Sequence, residues 1–213
     1  LAKVSNHAMA LLLSLAHKVP LLNNSVKNGI GDFKVAVPIY RLQGKTLGLV
    51  GFGNIPQTVA RKAKAFDLDV IAYDPFVAPE VAAAQNVELV TLEELCERSD
   101  YLSVHVPLNA HTEKMISTKE FAMMKKEAFI INTARGPIID EQALIEALHA
   151  QYQAHPGWSV QLHYDNLAAA AKAVVQHAGR STGIAAAELR GIEDGRLYAT
   201  GNTTCLMMDR PGA

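Results

Sequence analysis

Four short apolar runs constrain this chain more than anything else in it: TLGLVGF (46–52), DVIAYD (69–74), YLSVHV (101–106) and AFIINTA (128–134). The first has the length and flanks of a buried parallel strand, and the other three also read as strands. Helical stretches are expected over 55–66, 91–98, 117–124 and 140–151. The third residue after Thr91 is Glu94, the spacing of a helix-starting box. Strands alternating with helices require βαβ units, so residues 40–151 are predicted to form an α/β, doubly wound parallel sheet.

The first run ends in Gly51-Phe52-Gly53-Asn54-Ile55-Pro56 and leads into a helix. The first glycine permits a tight turn, and the second lets a pyrophosphate approach the backbone. The helix then offers it unpaired N–H groups and the positive end of its dipole. Pro56 stands where a third glycine is usual. It suits a first helical turn, though its ring is expected to crowd the helix against the strand. Asp74 ends the second run, where a carboxylate accepts hydrogen bonds from the adenosine ribose and repels a 2′-phosphate. A lone G-x-G often marks only a turn, and Asp74-Pro75 alone only starts one. Strand, glycine turn, helix, strand and acid in this order point to a Rossmann-type site for NAD rather than NADP.

Around this unit, residues 1–39 read as a linking and dimerisation segment, with a broadly apolar helix at 4–18 and a loop at 20–40. Residues 152–213 read as a short, mostly antiparallel β tail, with strands over 158–165, 172–177, 182–190 and 196–208 and turns at Ala178-Gly179 and Asp194-Gly195. Hydrophobic residues at 49% and a net charge of −1 fit a folded globular chain, with no basic stripe for nucleic acid. No apolar run is long enough to cross a bilayer. Cys96 and Cys205 stand far apart with no C-x-x-C, which suits a reducing cytoplasm, and no metal site is expected. A start at Leu1 suggests a piece of a longer parent sequence.

The segments LQGKTLGLVGFGNI, VIAYDPF, LSVHVPLNAHTEKMIS and FIINTARGPIIDEQALIEAL resemble the NAD-binding domain of D-isomer-specific 2-hydroxyacid dehydrogenases, over residues 2–151. The resemblance implies an oxidoreductase that moves a hydride between NAD(H) and a 2-hydroxy or 2-oxo acid, working as a homodimer. It implies that Gly51, Gly53, Asn54 and Ile55 line the pyrophosphate and that Asp74 holds the ribose. His105, Val106 and Pro107 would lie on the adenosine side, and Thr133, Ala134 and Arg135 by the nicotinamide. Arg135 would be the catalytic arginine. Its planar guanidinium suits a bidentate grip on a carboxylate.

The family also uses a glutamate and a histidine, both expected after residue 151. The chain continues QYQAHPGWSVQLHYDN there, without those motifs. His155, His163 and Glu188 are the nearby candidates, and no spacing promotes them. The tail, from SVQLHYDNL onward, resembles the last strands of hotdog-fold acyl-CoA thioesterases. The expectation is a catalytically incomplete NAD-binding dehydrogenase domain, joined to its tail by fusion. The alternatives are a non-catalytic binding or scaffold protein and, more remotely, a thioesterase.

Overall fold

The computed structural model describes residues 2–154 and, beyond them, residues 161–162, 187–190, 197–202 and 205–208. The apolar runs become β1 (Thr46–Val50), β2 (Asp69–Tyr73), β4 (Tyr101–Val104) and β5 (Phe129–Asn132), joined by a two-residue β3 (Glu88–Leu89). All pair in parallel, in the order β3-β2-β1-β4-β5. The chain winds outward from β1 to β3, then returns to β4 on the other side of β1. The strand order therefore reverses between β1 and β4, where an open α/β sheet leaves a crevice beyond its strand ends.

Side chains of a strand alternate between faces, and here both faces are covered. Leu47, Leu49, Val70, Ala72, Tyr101 and Ile131 pack beneath α1 (Ala2–Ala16) and α3 (Asn54–Lys64). Val50, Ile71, Leu102, Val104 and Ile130 pack on the opposite side, with Leu95 and Cys96 of α5 (Leu92–Arg98) and Leu144 of α7 (Glu141–Ala154). The helix expected in a separate linking segment, α1, thus contributes Leu11, Leu12 and Leu15 to the same core as β1. On the α5 face, Gly48 leaves room for a close approach: a Cβ there would lie 2.0 Å from Ser99 Oγ.

At the strands' N-terminal edge, the Asp100 carboxylate accepts from the Thr46 N–H at 2.9 Å and from Lys45 Nζ at 3.0 Å, with Lys125 Nζ at 3.2 Å. Burial pushes its pKa up, but these donors outweigh that and hold it below the ordinary carboxylate value.

Some expectations need correction. Residues 20–40 are not all loop: α2 spans Val19–Lys27 and a 3-10 turn spans Phe33–Ala36. Pro20 falls in the first turn of α2, where a missing N–H breaks no helical bond. The short helices α4 (Pro79–Ala83) and α6 (Thr118–Met123) complete the described α/β unit. Neither α4 nor β3 is long enough to show a periodic pattern. The strands also end sooner than the apolar runs do, at Val50 and Asn132 rather than Phe52 and Ala134.

Four further strands are β6 (Gln161–Leu162), β7 (Ala187–Arg190), β8 (Leu197–Asn202) and β9 (Cys205–Met208). They pair antiparallel in the order β6-β9-β8-β7. The run 196–208 is therefore two strands, with Asn202 opposite Cys205. The run 172–177 and both expected turns lie outside the described residues.

Candidate functional site

The residues singled out by sequence meet along one edge of the sheet, because each follows the last residue of a parallel strand. Gly51 follows β1, Asp74 follows β2, His105 follows β4 and Thr133 follows β5.

The glycine turn is built from both ends. Gly51 takes φ +93°, a backbone region that side chains disfavour, and its N–H donates to the Tyr73 carbonyl at 2.7 Å. A Cβ on Gly51 would also come within 3.0 Å of Val106 Cγ1. Phe52 is fully buried and anchors the turn in the core. Gly53 is exposed, and a Cβ there would meet nothing within 4 Å, so open space lies over the second glycine. The helix it caps, α3, makes its first backbone bond from the Gln57 N–H to the Gly53 carbonyl, at 3.1 Å. The N–H groups of Asn54 and Ile55 precede that bond and are left to a ligand or water. Pro56 is buried, and α3 runs past it to Lys64 without a break. An open second glycine beside a helix N-terminus fits a dinucleotide's pyrophosphate.

Asp74 does more than the sequence suggests. One carboxylate oxygen accepts from the Phe52 N–H at 2.8 Å, and the other from the Phe76 N–H at 2.9 Å. It therefore ties the end of β2 to the glycine turn. Each oxygen still has lone-pair capacity for a ribose hydroxyl.

On the other side of β1, the His105 N–H donates to the Val50 carbonyl at 2.8 Å. Its imidazole Nε2 lies 2.9 Å from Ser103 Oγ, and Nδ1 lies 3.4 Å from Thr133 Oγ1. Burial pulls its pKa down to about 4, so the ring is neutral near neutrality. Val106 is half-buried and Pro107 exposed, and the Pro107 carbonyl accepts from the Thr112 hydroxyl at 2.5 Å.

Asn132 shapes the turn after β5. It is fully buried; its Oδ1 accepts from the Ala134 N–H, and its Nδ2 donates to the Arg135 carbonyl, both at 2.9 Å. Sequence reasoning passed over Asn132, although a polar residue inside an apolar run, just before the turn, was the available signal. Arg135 itself is exposed, with Nη1 donating to the Ala134 carbonyl at 2.7 Å. Among the described residues, no cluster of His, Cys, Asp and Glu could hold a metal ion. No described helix is long and apolar enough to cross a membrane. His155 and His163 lie outside the described residues, as does the side chain of Glu188.

Comparison with known proteins agrees with this geometry. The family described as the NAD-binding domain of D-isomer-specific 2-hydroxyacid dehydrogenases matches residues 9–161. The chain belongs to this family. A D-3-phosphoglycerate dehydrogenase from Methanocaldococcus jannaschii is 46% identical over 146 residues, covering 68% of this chain and 28% of the relative. A glyoxylate reductase from Thermococcus litoralis is 40% identical over 159 residues, covering 72% of this chain and 48% of the relative. The structure of an Aquifex aeolicus D-lactate dehydrogenase complexed with NAD and lactic acid superposes with a TM-score of 0.66 at 30% identity, covering 70% of this chain and 44% of that one. The chain thus spans from about a quarter to a half of these relatives' length. It carries the NAD-binding Rossmann domain of this dehydrogenase family. The match ends at residue 161, and the expected likeness of the tail to thioesterase strands finds no support.

Proposed function

We propose that this domain holds NAD(H) across the reversal point of its sheet and serves hydride transfer to or from a 2-hydroxy or 2-oxo acid. The observation that carries this reading is the convergence of Asp74, the Gly51–Ile55 turn and Thr133–Arg135 on one sheet edge, after β2, β1 and β5. Neighbouring strands lie about 4.8 Å apart, so β2 and β5 are separated by roughly 14 Å. That spacing suits an extended dinucleotide with its ribose at Asp74, its pyrophosphate at Asn54 and Ile55, and its nicotinamide towards Thr133. Bound NAD supplies the hydride acceptor or donor. Arg135 would grip the acid's carboxylate and orient its carbonyl carbon towards the nicotinamide. A proton must also reach the substrate oxygen, and Arg135 cannot give one up near neutral pH. With its low pKa, His105 is not protonated there either. The acid would therefore come from outside residues 2–154, from the rest of a parent protein or from a partner. A homodimer is part of this reading.

Calorimetry with NADH and NADPH tests the cofactor geometry. NADH is expected to bind more tightly, because the Asp74 charge faces the position of a 2′-phosphate. Asp74→Ala should narrow the preference by roughly 1–3 kcal/mol. It should also weaken NADH itself, because the Phe52 N–H loses its anchor. Equal or tighter NADPH binding by the unaltered chain would overturn this assignment.

A further inference from the structure

We propose that His105 is a positioning residue for the nicotinamide half of the cofactor: held by Ser103, its imidazole fixes the Thr133 hydroxyl at the end of β5. The inference rests on the cofactor placement proposed above. The resemblance assigns His105 to the adenosine side, but its imidazole is turned towards the β5 turn.

Strand parity explains why. Ser103 pairs with Ile131 in the parallel register, and Val104 with Asn132. Continuing one step brings His105 level with Thr133. Ser103, His105, Ile131 and Thr133 then share the face that carries Tyr101. Ser103 is only 1% exposed, and its Oγ lies 2.9 Å from His105 Nε2. The other ring nitrogen lies 3.4 Å from Thr133 Oγ1. A neutral imidazole has one donor and one acceptor nitrogen. Ser103 has a hydroxyl hydrogen to place in a buried setting, so it donates to Nε2. That leaves the hydrogen on Nδ1, pointing at Thr133 Oγ1. The Thr133 hydroxyl accepts this bond and keeps its own hydrogen for a ligand. The opposite tautomer would consume that hydrogen and leave Thr133 with only lone pairs to offer. Burial keeps the ring neutral, so the arrangement persists at ordinary pH. The His105 main chain also abuts the glycine turn, with its carbonyl 3.4 Å from where a Gly51 Cβ would stand. One residue therefore spans both halves of the site, its backbone against β1 and its ring against β5.

The test compares NADH with ADP-ribose, which lacks the nicotinamide, by calorimetry on the full chain. Thr133→Val and His105→Phe should each weaken NADH by roughly three- to tenfold, the effect of one hydrogen bond. ADP-ribose affinity should stay within error. Equal losses for both ligands, or none for NADH, would overturn the proposal. An unaltered chain that binds neither ligand would overturn the cofactor placement itself, and this inference with it. Nitrogen-15 NMR of the unaltered chain gives a readout that needs no variant. His105 should show the Nδ1–H tautomer and remain neutral at pH 5.5. An Nε2–H signature, or titration near pH 6.5, would refute the proposed arrangement even if the variants failed to fold.

Discussion

At the scale of single residues, this site depends on polar groups whose roles are set by burial. His105 gives a measurable example. Its pKa is about 4 in the folded chain, with burial as the cause, against roughly 6.5 when unfolded. Between those values the unfolded chain binds the extra proton, so stability rises with pH across that window. The contribution is complete above about pH 6.5 and is lost as pH falls towards 4. Urea unfolding at pH 7 and pH 4.5 should therefore show the unaltered chain losing roughly 2–3 kcal/mol more than His105→Gln, since carboxylate titrations are common to both. Matching losses in the two chains would mean that the ring is solvated. Such roles were only partly legible in the sequence. Gly51, Gly53 and Asp74 stood out because their chemistry follows from type and order. Asn132 and Ser103 did not, because what they do depends on strand register and burial, which local pattern does not encode. Asp74 was expected to hold the ribose, whereas its grip on the Phe52 N–H depends on β2 lying beside β1.

At the scale of elements, four strands were readable because each is an apolar run of strand length between helical stretches. The capping box at Thr91 and Glu94 marked the start of α5 and is formed as expected. Short elements were missed because a two-residue strand and a five-residue helix carry no period. The packing of α5 on the sheet depends on Gly48, which sequence reading passed over as one more residue of a strand. Gly48→Ala would press a methyl group towards Ser99 Oγ, with Leu95 and Leu102 side chains at 3.1 and 3.2 Å. Overpacking of this kind typically costs about 1–3 kcal/mol. The expected result is a lower urea midpoint at an unchanged slope. If Gly48→Ala unfolds like the unaltered chain, α5 moves away from the sheet more easily than its packing implies.

At the scale of the whole molecule, the apolar helix α1 was expected to be buried against a domain or a partner chain, and it is packed within its own core. Much of the apolar surface left uncovered among the described residues belongs to residues 19–40, where Val26 is 67% exposed, Ile30 62%, Phe33 69% and Val37 58%. Several large exposed apolar side chains in one segment favour association. Light scattering at micromolar concentration should show a species larger than a monomer, and Val26→Lys with Phe33→Ser should shift it towards the monomer. A monomeric unaltered chain would count against the homodimer. Turnover is a second whole-molecule property. NADH oxidation with glyoxylate, pyruvate or hydroxypyruvate should run well below the common enzyme rate of about 10 s⁻¹, because a positioned general acid is typically worth about 10²–10⁴-fold. A normal rate abolished by Arg135→Ala would show that the acid is already present, in the tail or in a second copy. The placement of the site also bears on how such a domain diversifies. Gly51, Asp74, His105 and Thr133 each stand just past the last residue of a strand, while most of the core is filled by residues within the strands and helices. Inheritance can therefore retune what the crevice accepts by altering a handful of turn positions, without renegotiating the packing that makes the chain fold. Substrate preference can then evolve largely apart from the residues that fill the core, although His105 and Asp74 serve both.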